Sequence, residues 1–480
     1  MLRRMATNAV ALALGGIVAQ VVFVSIEIAI ARTLGSSDYG LFSSVSAIAL
    51  TSLFVIDLGT SWRLIESGSR NPESIAELLG TTVVLKFIGF LVLYPIVALA
   101  MSALGYDGRT VGFFLIFFGY TLTLAVQDSL AAVHTAHQRM VVNALFQGGT
   151  PLAIAAFVAL ALALGGGLNG VGLGYVAGGL LITGVWGVLT WRAERPRVRM
   201  AATGGILRSS YLYGLTGLLS QIFYKSDILL LSALTSMSQV GIYSAARKLL
   251  DLVYKFPILA ARVVAPALFQ QSRADVPLYR SSADAYLRVT TAAGLLLAVA
   301  SYPSADWLIG ILFGDTYVGA GAVLRVLSAS LALKGLVVAL QTVLTTSDQH
   351  GLRTRALAIA ATAAALGHWI LIPRMGVMGA ALAVVGGDIL LSMLYLGGIA
   401  DHRLRTTLAT RVATAGVAAA AGVAAPVLFG ISGPTASTLG VLACCAMLAV
   451  TGYVRPAEVR LLWQQARSAR GTTVNGTVGH

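Results

Sequence analysis

Charge is scarce in this chain. Asp, Glu, Lys and Arg make up 11% of its 480 residues, while 57% are apolar and the mean hydropathy is +0.83. A soluble fold of this size needs far more surface charge, so the composition is that of an integral membrane protein. Acids are the scarcer sign, 19 against 33 basic residues, for a formal net charge of +14. In a soluble chain that excess would point to nucleic acid; here it is read by position along the membrane, and no nucleic-acid partner is expected. Cysteine is almost missing. Cys444 and Cys445 are adjacent in an apolar run and cannot form an ordinary structural disulfide with each other. Neither they nor the six scattered histidines make a metal-ligand pattern, and His134 and His137 are expected in a solvated loop. There is no Ser/His/Asp grouping, no exposed carboxylate pair and no outer loop large enough for an active site. No catalytic residue, cofactor or metal is expected, and the chain is not read as an enzyme.

Long apolar runs are what the sequence has instead. Hydropathy predicts an all-α polytopic protein with fourteen spans, near 9–31, 40–60, 80–103, 111–133, 141–163, 171–191, 209–233, 240–268, 287–312, 319–345, 354–373, 376–400, 411–430 and 436–454. The first run follows Arg3 and Arg4 and ends near Ala29-Ile30-Ala31, as a signal peptide would. It is about 22 residues long and holds Glu27, too long and too polar for that, so it is read as a retained first span. With the N-terminus inside, the inner segments carry 22 Lys+Arg and the outer ones three, Arg32, Arg109 and Arg374. That asymmetry predicts both termini in the cytoplasm and a multi-pass protein of the cytoplasmic, or inner, membrane. All five lysines fall at predicted membrane depth.

A shift of 201 positions matches Gly16 with Gly217, Gln20 with Gln221, Gly40 with Gly241, Phe42 with Tyr243 and Ser43 with Ser244. Six spans separate the copies, so both point the same way through the membrane, a parallel repeat of the kind that puts a transporter's substrate between two halves. The expected organisation is an N-terminal lobe over 1–191, a basic cytoplasmic linker over 192–208, a second lobe over 209–400, two further spans within 401–454 and a cytoplasmic tail over 455–480. Gly170, Gly174 and Gly178 lie at small-xxx-small spacing and predict close helix packing; with no strand before them and no Gly-Lys-Ser/Thr after, they are no phosphate loop. Val454 to Arg470 is a candidate interfacial helix.

The run from Val240 to Phe269 is long enough to cross a bilayer yet holds Arg247, Lys248, Asp251, Lys255 and Arg262. At about 100° per residue these five share one arc about 100° wide, and the stripe climbs about 22 Å. Charge facing lipid at that depth is costly, so the stripe is expected to face a wet, net-positive interior. Four cations against one anion cannot all pair within the helix. Gln20 and Glu27 in the first span, Gln221, Lys225 and Asp227 in the seventh, and Arg325 in the tenth are expected to share that interior. A net-positive pocket selects an anion, and arginine's planar fork suits phosphate. For Asp57, Asp128 and Asp388 an interhelical bond that fixes packing is the expected role.

Five short motifs in order then resemble a family. Ala31-Arg32-Thr33-Leu34-Gly35-Ser36-Ser37-Asp38-Tyr39-Gly40-Leu41-Phe42 is similar to the A-R-x-L-G-x-x-x-Y-G-x-F motif of polysaccharide flippases, and Asp57-Leu58-Gly59 to their D-L-G. Val240 to Ala246 resembles their G-x-Y-x-A-A, Leu312 to Tyr317 their L-F-G-x-x-Y, and Leu371 to Ala381 their L-I-P-x-x-G-x-x-G-A-A. The resemblance covers about residues 8 to 400 and is to the O-antigen branch of the multidrug/oligosaccharidyl-lipid/polysaccharide (MOP) exporters. It implies a V-shaped fold of two six-helix lobes, here with two added helices, moving a polyprenyl-pyrophosphate-linked oligosaccharide by alternating access. Membrane lipids, a glycan polymerase and glycosyltransferases are the partners it implies, with proton or sodium coupling left open. Two rivals stand beside it: a cation-coupled drug exporter, which should have an acidic, aromatic-lined site, and a non-transporting scaffold or polymerase subunit of a glycan assembly complex.

Overall fold

The structure, a computed structural model, describes residues 2–428, 431 and 433–453; the side chains of some of these, including Arg262 and Arg273, lie outside the description. The expected interfacial helix and tail beyond residue 453 also lie outside it. The described residues are mostly helical, with no strand. They fall into two compact units that meet between Gly241 and Ile242. Among the described residues, ten helices are long and apolar enough to cross a membrane.

The first unit begins with α1 (Leu2–Asp57), which holds the first two expected spans and breaks at Gly35, where φ is +79°. It continues with α2 (Thr60–Arg70), α3 (Ile75–Ala103), α4 (Gly108–Ala136), α5 (Met140–Ala163), α6 (Gly167–Glu194), α7 (Thr203–Leu234) and the first turn of α8 (Met237–Ala274). Helix α2 was not expected. It follows from the Asp-Leu-Gly motif: Leu58 and Gly59 are left-handed, with φ of 46° and 78°. The Asp57 carboxylate then accepts from the Gly59 amide at 3.1 Å and the Ser61 hydroxyl at 2.7 Å, restarting a helix on a new axis.

Because lipid tails are as apolar as Leu, helix association here depends on close packing. Gly174 and Gly178 let α6 lie on α5 at backbone distance, since an added Cβ would stand 2.9 Å from the Val158 amide and 2.7 Å from the Ile154 Cα. The repeat-matched glycines make a tighter crossing. A Cβ on Gly40 would come 1.8 Å from the Met237 carbonyl, and one on Gly241 would come 1.9 Å from that of Ser36. Ser36 and Ser238 share a hydroxyl hydrogen bond of 3.0 Å beside it. Phe42, two residues beyond Gly40, packs its ring on Phe117 and Tyr175, with centroids 5.7 and 5.4 Å away.

The second unit holds the rest of α8, then α9 (Val276–Ser301), α10 (Ala305–Phe313), α11 (Ala320–Thr346), α12 (His350–Met375), α13 (Val377–Gly398), α14 (His402–Leu428) and α15 (Pro434–Val450). Two expectations are corrected here. The inner loop drawn between the eighth and ninth spans is helix: α8 runs to Ala274, and the Asp275 carboxylate caps α9 by accepting from Leu278 N at 2.9 Å. Arg288 is buried on α9 with Asp284 at 2.9 Å. The single span 287–312 is two helices, because Pro303 cannot continue α9. The last two helices pack on α9 through Leu295, Val299, Ala415, Ala418, Cys444 and Leu448. Cys444 is buried and Cys445 exposed, both as free thiols.

Candidate functional site

In the second unit the charged face of α8 grades from dry to open within two turns. Arg247 is 3% exposed. Its Nε stands 3.3 Å from the half-buried Asp251 carboxylate, one turn on. Lys248 is half-buried and Lys255 exposed. The period of 3.6 explains the grouping, and the depth of Arg247 explains why Asp251 must be its neighbour: a buried cation needs a counter-charge. The Arg262 side chain, the top of the expected stripe, lies outside the described residues.

Behind that face is a second charge pair. The Lys334 ammonium of α11 meets the Asp388 carboxylate of α13 at 2.7 Å, with the side chains 3% and 1% exposed. Ser330 donates to the same carboxylate. Lys334 Nζ also lies 5.4 Å from the centre of the Tyr254 ring, and so ties α8 to α11 by a cation–π contact. Sequence reasoning did not join Lys334, Asp388 and Tyr254 to this group. The available signal was a lone cation and a lone anion, each in an otherwise apolar span. Arg325 is elsewhere: it pairs with Asp306 at the start of α10, two to three turns before Lys334 on α11.

The remaining expected residues belong to the first unit. Glu27 is half-buried on α1 and accepts from the Tyr39 hydroxyl at 3.4 Å, with Gln20 half-buried two turns earlier. On α7, Gln221 and Lys225 are half-buried and Asp227 is 1% exposed, with the Ile228 amide donating to its carboxylate at 2.9 Å. A buried cation sits in this unit too. Lys86 of α3, 0% exposed, donates to Asp57 at 2.6 Å, to the Ser61 hydroxyl at 2.7 Å and to the Ala125 carbonyl of α4 at 2.8 Å. All three ammonium donors are used. Asp128, one turn beyond Ala125, is exposed. The expectation of a solvated loop at His134 is corrected: α4 extends past it, and the ring stacks on Trp186 of α6 with its Nε2 3.1 Å from the Thr190 hydroxyl. His137 lies 3.0 Å from Glu194.

Residues 5–272 match a family described as polysaccharide biosynthesis protein. A probable low-salt glycan biosynthesis flippase of Haloferax volcanii, Agl15, is 24% identical over 371 residues, 74% of each chain. Among solved structures, the lipid II flippase MurJ in an inward closed conformation superposes with a TM-score of 0.77 at 13% identity, over 92% of this chain and 98% of that one. A MOP superfamily transporter from Pyrococcus furiosus gives 0.60 at 14% identity, over 83% and 96%. The two structural likenesses establish the fold as that of the MOP transporters.

Proposed function

Because the chain belongs to the polysaccharide biosynthesis protein family, we propose that it flips a polyprenyl-pyrophosphate-linked oligosaccharide across the cytoplasmic membrane. It is a multi-pass transporter and not an enzyme. The observation that carries the substrate class is the α8 face, where Arg247, Lys248 and Lys255 share one side of a membrane-length helix with a single acid, Asp251. An anionic headgroup gains charge-assisted hydrogen bonds from such a face, while a cationic drug is repelled by it. Glycan polarity is met by groups such as Gln20 and Gln221, and the prenyl tail stays in lipid.

Transport then proceeds by alternating access, with both termini on the cytoplasmic side as the arginine count expects. The buried pairs Lys334–Asp388 and Lys86–Asp57 serve as rigid fixtures within their units. The test is a leaflet-resolved assay in proteoliposomes: a labelled prenyl-pyrophosphate sugar loaded on one face becomes accessible on the other only with this protein present. Movement of a fluorescent organic cation in its place would select the drug-exporter reading. Normal glycolipid flipping by the other assembly components alone would select the scaffold reading.

A further inference from the structure

We propose that the segment from Trp191 to Met200 is a docking strap for anionic phospholipid headgroups, of the phosphatidylglycerol class. On α6, Leu181, Val185 and Val188 are 50%, 47% and 51% exposed. Their spacing puts them on one stripe, which Arg192 continues at about the same angle. An apolar exposed stripe on a membrane span faces lipid, so Arg192 stands where that stripe meets the headgroups. Trp191, 64% exposed, sits beside it, as an interfacial anchor does.

The chain then leaves the helix through Arg195, a left-handed residue with φ of 46°, and is fastened along the start of α3. The Arg197 amide donates to the Ala76 carbonyl at 2.8 Å and the Arg199 amide to the Thr81 hydroxyl at 3.1 Å. The fit is close: a Cβ on Gly80 would stand 2.4 Å from the Arg197 carbonyl oxygen. A charge that only sets topology needs no such seating. The nearby acids are engaged, Glu77 with Arg199 at 3.5 Å and Glu194 with His137. Arg192, Arg195 and Arg197 are exposed and form no ion pair among the described residues, while Val198 and Met200, 55% and 52% exposed, add apolar surface. A pinned backbone that presents three open cations among apolar side chains at a bilayer surface matches a row of lipid phosphates. The three cations are spaced over six residues, 192 to 197, which suits several phospholipids better than one pyrophosphate.

The test uses photoactivatable phosphatidylglycerol in proteoliposomes of phosphatidylcholine, with crosslinked peptides identified by mass spectrometry. In the wild-type protein, residues 188–200 label more than helices α12 and α14, and unlabelled phosphatidylglycerol competes where phosphatidylcholine does not. Arg192→Gln/Arg195→Gly/Arg197→Gln lowers strap labelling at least about tenfold. Glycine suits the left-handed site, so the change at 195 relieves backbone strain while removing charge. Loss of three other exposed arginines (Arg139→Gln/Arg355→Gln/Arg403→Gln) leaves strap labelling unchanged. Equal competition by phosphatidylcholine, displacement at lower concentration by a prenyl phosphate, or an equal loss in the control variant overturns the proposal.

Discussion

Lys334 and Asp388 face one another across α11 and α13 at 2.7 Å, each shut away from solvent. Neither charge is tolerable there alone. Asp388→Leu should therefore cost about 3–5 kcal/mol, since it strands a buried ammonium, whereas Lys334→Met/Asp388→Leu should recover most of that loss. Thermal unfolding of the two variants in detergent gives the comparison. Equal destabilisation by the single and double changes would mean the pair is not what matters at that site.

Asp57 has two tasks, neutralising Lys86 and capping α2. The two separate by substitution. Asp57→Asn keeps an acceptor for the Gly59 amide and loses only the charge, which should cost about 3 kcal/mol. Asp57→Ala should cost about 1 kcal/mol more through loss of the cap. Unfolding temperatures of both against wild type would show the order.

The crossing at Gly40 and Gly241 leaves no room for a methyl group, and Ser36 and Ser238 touch beside it. Gly40→Ala and Gly241→Ala should each separate the helices, and the double variant should be less than additive because both relieve one contact. Ser36→Cys/Ser238→Cys should form a disulfide under mild oxidation, read as a mobility shift reversed by reductant. Two thiols that stay free would contradict the crossing.

Asp401, in the turn between α13 and α14, supplies the pH dependence. Burial acts to raise its carboxyl, but the hydrogen bond from Arg280 and the amides of Leu404 and Arg403 outweigh that and hold it below its ordinary 3.8. A depressed folded pKa contributes stability above the unfolded value and loses it as pH falls through the folded one. Asp401→Asn should thus lower the unfolding temperature at neutral pH, and the gap should close as pH falls below 3.8 and on through the depressed folded pKa. Arg280 and Asp401 are 35% and 26% exposed, so the effect is ~1 kcal/mol or less.

Much of this was legible before any coordinates, and what was not has physical reasons. Hydropathy finds apolar length, so it marks the long apolar helices, but it cannot see an amphipathic helix such as α2 or a cap such as Asp275. Pro303 did signal the break between α9 and α10, inside a run whose hydropathy masked it. The pairing of Arg247 with Asp251 was readable because helical period alone brings the two together. Lys334, Asp388 and Tyr254 lie on three helices, and a period within one helix carries no information about its neighbours.

On the proposed function, the basic face of α8 handles an anionic glycolipid headgroup. The direct measurement is the leaflet-resolved proteoliposome assay on Arg247→Gln and Lys255→Gln, with insertion and unfolding temperature checked in parallel. At about 1.5 kcal/mol per charged hydrogen bond, each should slow glycolipid translocation about tenfold while the protein stays inserted and folded. Full-rate translocation by the double variant would contradict the account.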